Sequence, residues 1–589
     1  MKKRFLLYSL FICILLFTVP FLFPQKEVVQ SLSYEMGFNN AIGILLLVIA
    51  SLILFVWGAL KEKYANNLIV LDKEVGSKKL LHILQIISFS ILMLFSILYW
   101  GVEDGILQAY WPVHYSDAMK HGWVLYEDVH VIYGALQILP LHWLRLLGIP
   151  AMTAQLLIVA VSSVLCLLFV YDILGYINIP IREKNAILIL SSVLFFPYYM
   201  GIEGFRYVYT SWLLIKIILL SRNNYNLLLQ LVVSCCSVVF AILFSQEYGL
   251  CLCVALVIYY FLDLIIQKHL KDIILIFTIA LSLGILIWIY PGMFNAVLYM
   301  AGGASSFPYV PSLHLIILFI AVLMFAWMMG TQIRDIKNNY SVLVLELLLL
   351  SYLPSVLGRC NPSHVLPIAF FIIVISGIKF VQFYNKKVVM VIYCLTFLTP
   401  FPFIIKTQSK TAIRPMISNV VKQNEWIVNI VIDKQLPGYQ MIVNKKNKSA
   451  IRKEKQQEFL SLLGERPTIM SFCTEEVLYN YLNENCNYKE NFFGQSLSWL
   501  ANEEQFKSVI DRIEFEKPDY IVLPKDYKNV WMNYTEWNVF NLWFCTYSFS
   551  KPYRGYNETL YKPLIDYIES NYCHFSTFEN VSLYKNNSL

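Results

Sequence analysis

The stretch Leu227–Tyr290, LLLQLVVSCCSVVFAILFSQEYGLCLCVALVIYYFLDLIIQKHLKDIILIFTIALSLGILIWIY, decides the fold. Its charges fall mainly at two breaks, Ser245-Gln-Glu247 and Gln267-Lys-His-Leu-Lys-Asp272. A hydrocarbon core about 30 Å thick is crossed by about 20 residues of helix. The stretch therefore reads as three successive spans, 227–246, 249–267 and 272–290. Working outward, the same pattern recurs at 5–23, 40–60, 80–100, 151–171, 186–201, 207–221, 312–330, 341–357, 363–379 and 387–405, which makes thirteen predicted transmembrane helices. The first follows Met1-Lys-Lys-Arg4, but Val19-Pro-Phe-Leu-Phe-Pro24 offers no small-residue cleavage site, so a retained anchor is expected.

Composition agrees. Of 589 residues, 58% are apolar and 14% charged, and the mean hydropathy is +0.58, values outside the range of soluble domains. So low a charged fraction also argues against disorder. The net charge of +7 is too dilute for a nucleic-acid binder, so no nucleic-acid partner is expected.

The 46 basic and 39 acidic residues mark a boundary near residue 405. Residues 405–589 hold 22 Lys/Arg and 21 Asp/Glu, whereas residues 1–404 hold the other 24 and 18, thinly spread between apolar runs. The chain is thus expected to be a polytopic α-helical membrane domain, 1–404, followed by a soluble domain, 405–589. Lys/Arg counts in alternate loops, with Lys216 left out because it falls inside a span, are eighteen against five. The five are Lys26, Lys120, Arg145, Arg206 and Arg359. By the positive-inside rule the N-terminus is cytoplasmic, while the loop 101–150 and the C-terminal domain are extracytoplasmic. A multi-pass plasma-membrane protein is expected.

On the outer side of 1–404 the polar residues form a short set: Glu103, Asp104, Asp117, Glu127 and Asp128 in the first large loop, then Glu203, Arg206, Glu247, Arg359 and His364. Ionisable residues at membrane depth are expensive to keep and suggest a site, although one at a helix end also serves as an anchor or a structural partner. The loop 101–150 is aromatic and apolar, with helical spacing around Leu136, Leu139 and Leu144. It is expected to lie along the membrane surface as short amphipathic helices, with Trp111, Trp123 and Trp143 at headgroup depth.

Glu103-Asp104-Gly105, Gly122, Tyr126-Glu-Asp128 and Tyr133-Gly-Ala-Leu136 together resemble the first extracytoplasmic loop of GT-C membrane glycosyltransferases. The likeness is to the bacterial branch related to protein O-mannosyltransferases and aminoarabinose transferases, family 39-like. Ser245-Gln-Glu-Tyr-Gly249 and Gly358-Arg-Cys-Asn-Pro-Ser-His364 are similar to patterns of that group. Two departures stand: the acids read Glu-Asp rather than Asp-Glu, and two additional spans precede the loop. The resemblance implies transfer of a sugar from a polyprenyl-phosphate or -diphosphate donor to an acceptor hydroxyl on a glycan, lipid or protein.

Such a reaction needs a carboxylate to take the acceptor proton, cations to stabilise the leaving phosphate and a groove for the lipid tail. Asp104 is the first candidate for the base, then Asp128, Glu103 and Asp117; Asp128 would equally suit a helix N-cap ahead of Val129–Leu136. Arg206 and Arg359 are the candidates for the donor phosphate, with His364 beside them, and Glu247 for positioning the acceptor or pairing structurally. No cofactor is called for, and no metal: the nine His and twelve Cys show no tight ligand spacing. Cys473, Cys486, Cys545 and Cys573 permit three disulfide pairings.

Within 405–589, Pro467–Phe472 and Pro518–Pro524 read as strands, while Glu475–Leu482 and Phe506–Ile513 read as helices, the alternation of a small α/β sandwich. Neither a phosphate loop nor a nucleophile elbow appears, so a lid or acceptor-recognition role is expected. Trp531, Tyr534, Trp537, Trp543, Phe544 and Tyr547 are either core or a surface for sugar rings. The competing readings are a flippase or transporter and a polymerase or ligase of lipid-linked saccharides.

Overall fold

The computed structural model describes residues 2–23, 39–61, 76–98, 134–176, 180–195, 198–223, 225–294, 313–359, 467–472, 487–490, 503–528, 558–578 and 581–588, with scattered positions at 115–131, 365–372 and 458–463. Among them, eleven helices lie at predicted spans: α1 (Lys2–Leu22), α2 (Asn40–Lys61), α3 (Lys78–Leu98), α5 (Ala151–Gly175), α6 (Ile181–Phe195), α7 (Tyr198–Arg222), α8 (Leu227–Phe244), α9 (Gln246–Gln267), α10 (Lys271–Ile289), α11 (Leu313–Ile333) and α12 (Ile336–Ser351). Two short helices, α4 (Leu139–Leu146) and α13 (Leu353–Arg359), complete this part. Among the described residues seven helices are long and apolar enough to cross a membrane, and the chain is a helical membrane protein. The predicted spans 363–379 and 387–405 lie almost wholly outside the described residues.

The outward faces explain why these helices need lipid. The α10 span is only 22% buried, and Phe277, Leu281, Ile285 and Trp288 point outward. An apolar surface of this extent has no place in water. By contrast α11 is 83% buried and sits at the centre. It packs along α2 with α1 against both, then against α12, which leads to α9 and α7; α5 joins α7 to α3 and α6, and α10 rests on α8 and α9. The crossing of α2 and α11 depends on small residues: a Cβ on Gly330 would stand 2.0 Å from the Phe55 carbonyl oxygen, and one on Gly58 would stand 2.3 Å from that of Trp327. Close backbone approach of this kind is how membrane helices gain packing when lipid offers no hydrophobic drive.

Local sequence sets the helix ends. Asn226 caps α8, its side chain accepting from Leu228 N at 3.0 Å, and Asn39 does the same for α2 through Ile42 N at 3.2 Å. Lys268 closes α9 in a left-handed conformation, φ 60°. Between α8 and α9 a single extended residue, Ser245 (φ −152°, ψ 106°), makes the break.

In the C-terminal part, β1 (Thr468–Ser471), β2 (Asn487–Glu490), β3 (Tyr520–Pro524), β4 (Tyr572–Phe578) and β5 (Val581–Asn586) form one sheet in the order β2-β1-β3-β5-β4. The first three are parallel; β5 runs antiparallel to β3 and β4. Helices α14 (Glu503–Glu516) and α15 (Glu558–Asn571) place Phe506, Ile513, Leu564 and Ile568 on Met470, Ile521 and Leu523. Strands β1 and β3 and helix α14 fall where the sequence predicts them, while β2, β4, β5 and α15 are additions. The expected helix 475–482, Cys473, Cys486, Cys545 and the aromatic group 531–547 lie outside the described residues; Cys573 on β4 carries a free, exposed thiol.

Candidate functional site

The break at Ser245 positions the site. It leaves Phe244 O free to accept from Gln137 Nε2 at 2.7 Å, and it starts α9 with Gln246 and Glu247. Gln246 Nε2 donates to Tyr126 Oη at 3.0 Å, and the same oxygen accepts from Ala135 N at 3.0 Å. Gly134 lies so close to this break that a Cβ would stand 2.1 Å from Leu243 O. The large loop is thereby fastened to the junction of α8 and α9. Tyr126 holds its place in a left-handed backbone, φ 71°, a strained conformation for an aromatic residue. Burial pushes its phenol up to about 12, so the hydroxyl is neutral. Within the loop, Arg145 Nη1 donates to Ser116 Oγ at 2.9 Å, tying its early part to α4, where Trp143 is exposed. Helix α4 and the 3-10 turn Ala135–Gln137 agree with the helical spacing read around Leu136–Leu144. Of the run Val129–Leu136 ahead of which Asp128 would serve as a cap, the described residues Val131 and Gly134 are non-helical, while Ala135 and Leu136 belong to the 3-10 turn.

One residue beyond Gln246, Glu247 Oε2 accepts from Ser355 Oγ at 2.5 Å, and Tyr248 Oη lies 3.2 Å from the same Ser355 oxygen. Ser355 sits on α13, whose last residue is Arg359, one helical turn further on. The Arg206 guanidinium carbon stands 5.6 Å from the centre of the Tyr248 ring, a cation–π arrangement. Tyr207, Tyr248 and Tyr352 pack edge to face or tilted beneath it, centroids 4.9–6.0 Å apart, and Tyr352 Oη meets Thr210 Oγ1 at 2.5 Å. The arrangement is a cation on an aromatic floor beside a carboxylate–hydroxyl pair, all at one end of the bundle.

Arg206 requires a correction. The expected spans 186–201 and 207–221 left it in a connecting loop, but α7 begins at Tyr198, directly after Pro197, and carries Arg206 about 12 Å along its axis. There it is 2% exposed. The cue was Pro197, which suits the start of a helix and not its interior. Arg206 and Glu247 are brought together with the helix that ends in Arg359. Glu103, Asp104, Asp117, Asp128 and His364 lie outside the described residues, as do the side chains of Glu203 and Arg359.

Sequence reading missed Ser355, Tyr207 and Tyr352, because a serine and two tyrosines on apolar helices give no periodic signal, while Tyr248 stood inside the quoted motif Ser245–Gly249 with no role assigned to it. Tyr126 and Gln246 both stood inside quoted motifs, and their 3.0 Å hydrogen bond is what joins those two segments. Compared with known proteins, the chain matches no family model, no curated protein and no solved structure.

Proposed function

We propose that the chain is an integral-membrane glycosyltransferase of the GT-C type, moving a sugar from a polyprenyl-phosphate or -diphosphate donor to an acceptor hydroxyl of a glycan, lipid or protein. It acts on the outer face of the plasma membrane, with the N-terminus cytoplasmic and the C-terminal domain extracytoplasmic. The observation that carries this reading is the meeting of Arg206, the Glu247–Ser355 pair and the α13 helix at the bundle end to which the loop 101–150 is fastened. In the proposed reaction a loop carboxylate, Asp104 first, takes the acceptor proton as the acceptor oxygen attacks the anomeric carbon. The bond from that carbon to the phosphate oxygen breaks, and Arg206 and Arg359 stabilise the departing phosphate through charge-assisted hydrogen bonds. Glu247, held by Ser355, orients the acceptor.

The test is transfer of labelled sugar from a polyprenyl-linked donor by the full chain in detergent. Asp104→Asn keeps size and hydrogen bonding but removes the basic oxygen, so turnover falls by about a hundredfold or more. Full activity in that variant moves the base to Asp128, and no transfer with any polyprenyl-linked sugar rejects the reading. Cysteines placed in 61–79 and in 104–128 should react oppositely with an impermeant reagent; equal labelling refutes the topology.

A carrier is the second reading, favoured by Glu346, which is fully buried in α12 and accepts from Gln332 Nε2 at 2.6 Å. A buried carboxylate within the bundle is what a transport pathway uses. Turnover in detergent excludes a pure carrier.

A further inference from the structure

At the opposite end of the bundle, α9, α10 and α12 bring together a set of side chains that sugar transfer does not use. Asp263 sits one turn before the end of α9, His269 in the left-handed connection after it, and Asp272 at the start of α10. One oxygen of each carboxylate and one ring nitrogen of the histidine all lie within 4.8 Å of one another. His269 Nδ1 and Asp263 Oδ2 are 3.0 Å apart, and the other Asp263 oxygen accepts from Tyr340 Oη of α12 at 2.5 Å.

Asp272 is the informative member. It is fully buried, and among the described residues neither of its carboxylate oxygens accepts from an N–H or O–H donor; the group it meets at hydrogen-bonding range is the second carboxyl, that of Asp263. A buried carboxylate left bare is strongly unfavourable unless a positive charge or a proton meets it. The basic residues nearby are placed elsewhere: Lys268 and Lys271 flank the connection, the Arg222 guanidinium lies over the Tyr340 ring at 5.6 Å, and among the described residues none of the three ion-pairs with Asp263 or Asp272. Two carboxylates thus face each other with one imidazole as the third group.

We propose that Asp263, His269 and Asp272 form a binding site for one divalent transition-metal cation of the zinc or manganese kind. Two carboxylate oxygens and one imidazole nitrogen suit such ions better than magnesium or calcium, which take all-oxygen sets, or copper(I), which takes sulfur. Three protein ligands leave a position for water on the side where His269 is 39% exposed. Tyr340, donating to Asp263, orients that ligand from outside the coordination shell, the usual arrangement at protein metal sites. The bound ion cross-ties the α9–α10 hairpin and, through Tyr340, fastens it to α12. Sequence spacing concealed this set because its members straddle a helix end, and the left-handed turn at Lys268 folds them together.

The full chain in detergent, its affinity tag removed and its metals stripped by a chelator, is dialysed against zinc chloride and the bound metal measured by mass spectrometry. One equivalent per chain is expected, and bound zinc should raise the thermal midpoint. His269→Ala, at a partly exposed position that tolerates truncation, and Asp272→Asn should each weaken binding by more than the 10–100-fold, approximately, seen when an outer-shell partner is lost. Cobalt(II) in place of zinc should give d–d bands without sulfur-to-metal charge transfer, which separates this site from the cysteines. A chain that binds no zinc, or one whose zinc persists in both variants, overturns the proposal and leaves a carboxylate pair sharing a proton. Should Asp272→Asn fail to fold, His269→Ala with the cobalt spectrum decides alone.

Discussion

Removing the Tyr126 hydroxyl tests the fastening of the large loop to the break between α8 and α9. That oxygen accepts from two buried donors, Gln246 Nε2 and Ala135 N, both at 3.0 Å. Tyr126→Phe strands both, and each stranded buried donor costs about 1–3 kcal/mol, so the loss should be about 2–6 kcal/mol. In a Gln246→Leu background one donor is already gone and only Ala135 N is stranded; the same change then costs about 1–3 kcal/mol. A double-mutant cycle should therefore show a coupling of about 1–3 kcal/mol, whatever Gln246→Leu costs by itself. Reversible unfolding of the full chain in a mixed-detergent titration measures the four corners. Burial raises the Tyr126 phenol from 10 to about 12 against the opposing pull of the Gln246 and Ala135 hydrogen bonds. The stability that comes from keeping it neutral is fully present below pH 10 and lost as pH rises through about 12, while the two donors would bond a phenolate oxygen more strongly, so the coupling itself is measured at neutral pH. A coupling below about 0.5 kcal/mol at neutral pH refutes the shared bond.

Gly330→Ala puts a methyl 2.0 Å from the Phe55 backbone oxygen, where neither helix can yield cheaply; overpacking of about 1–3 kcal/mol or more should appear as a lower thermal midpoint, and an unchanged midpoint disproves the close crossing of α2 and α11. Arg206→Ala should abolish most sugar transfer while Arg206→Lys rescues only part, because lysine lacks the bidentate fork; equal rates in both variants reduce Arg206 to a packing cation. In the C-terminal sheet, Lys528 beside Glu569 holds that carboxyl below its usual range, assisted by Tyr527 Oη at 2.9 Å. A depressed carboxylate stabilises above its unfolded pKa of about 4.5 and stops doing so as pH falls through the folded value. The pair is about half exposed, so Lys528→Ala should speed hydrogen exchange of α15 amides only slightly at pH 7 and not at pH 3, within about 1 kcal/mol; the same difference at both pH values refutes the ion pair.

Apolar length was readable in the sequence because lipid imposes it on every span, and the described helices follow it. Helix boundaries were less readable where one residue decides them. Pro197 starts α7 early enough to take Arg206 into the bundle, and Ser245 breaks an apolar run that continues on both sides. In the C-terminal sheet, β1 and β3 announced themselves as short β-branched and apolar runs marked by prolines, Pro467 just before β1 and Pro518 and Pro524 around β3. The hairpin of β4 and β5 did not, since Glu579-Asn580 between them lacks the Asn-Gly or Asp-Gly signature and Tyr572–Phe578 reads as scattered aromatics. Contacts such as Glu247 with Ser355, 108 residues apart, follow from helix packing and leave no trace in spacing.

The Ser245 break also explains why the loop and the charged cluster belong to one device. A continuous helix through 227–267 would bond the Phe244 carbonyl to the amide of Tyr248 and leave Gln137 without its acceptor. With one extended residue inserted, Phe244 O turns to Gln137, Gln246 reaches Tyr126, and Glu247 reaches Ser355 on α13. Three successive polar anchors thus depend on a single pair of backbone angles. Because Gly134 lies against Leu243 at 2.1 Å from where a Cβ would stand, the loop fits only while that break is present. Tyr126, Gln246, Glu247 and Ser355 thus form one continuous chain of contacts that runs from the loop, through adjacent residues of α9, to the helix that ends in Arg359.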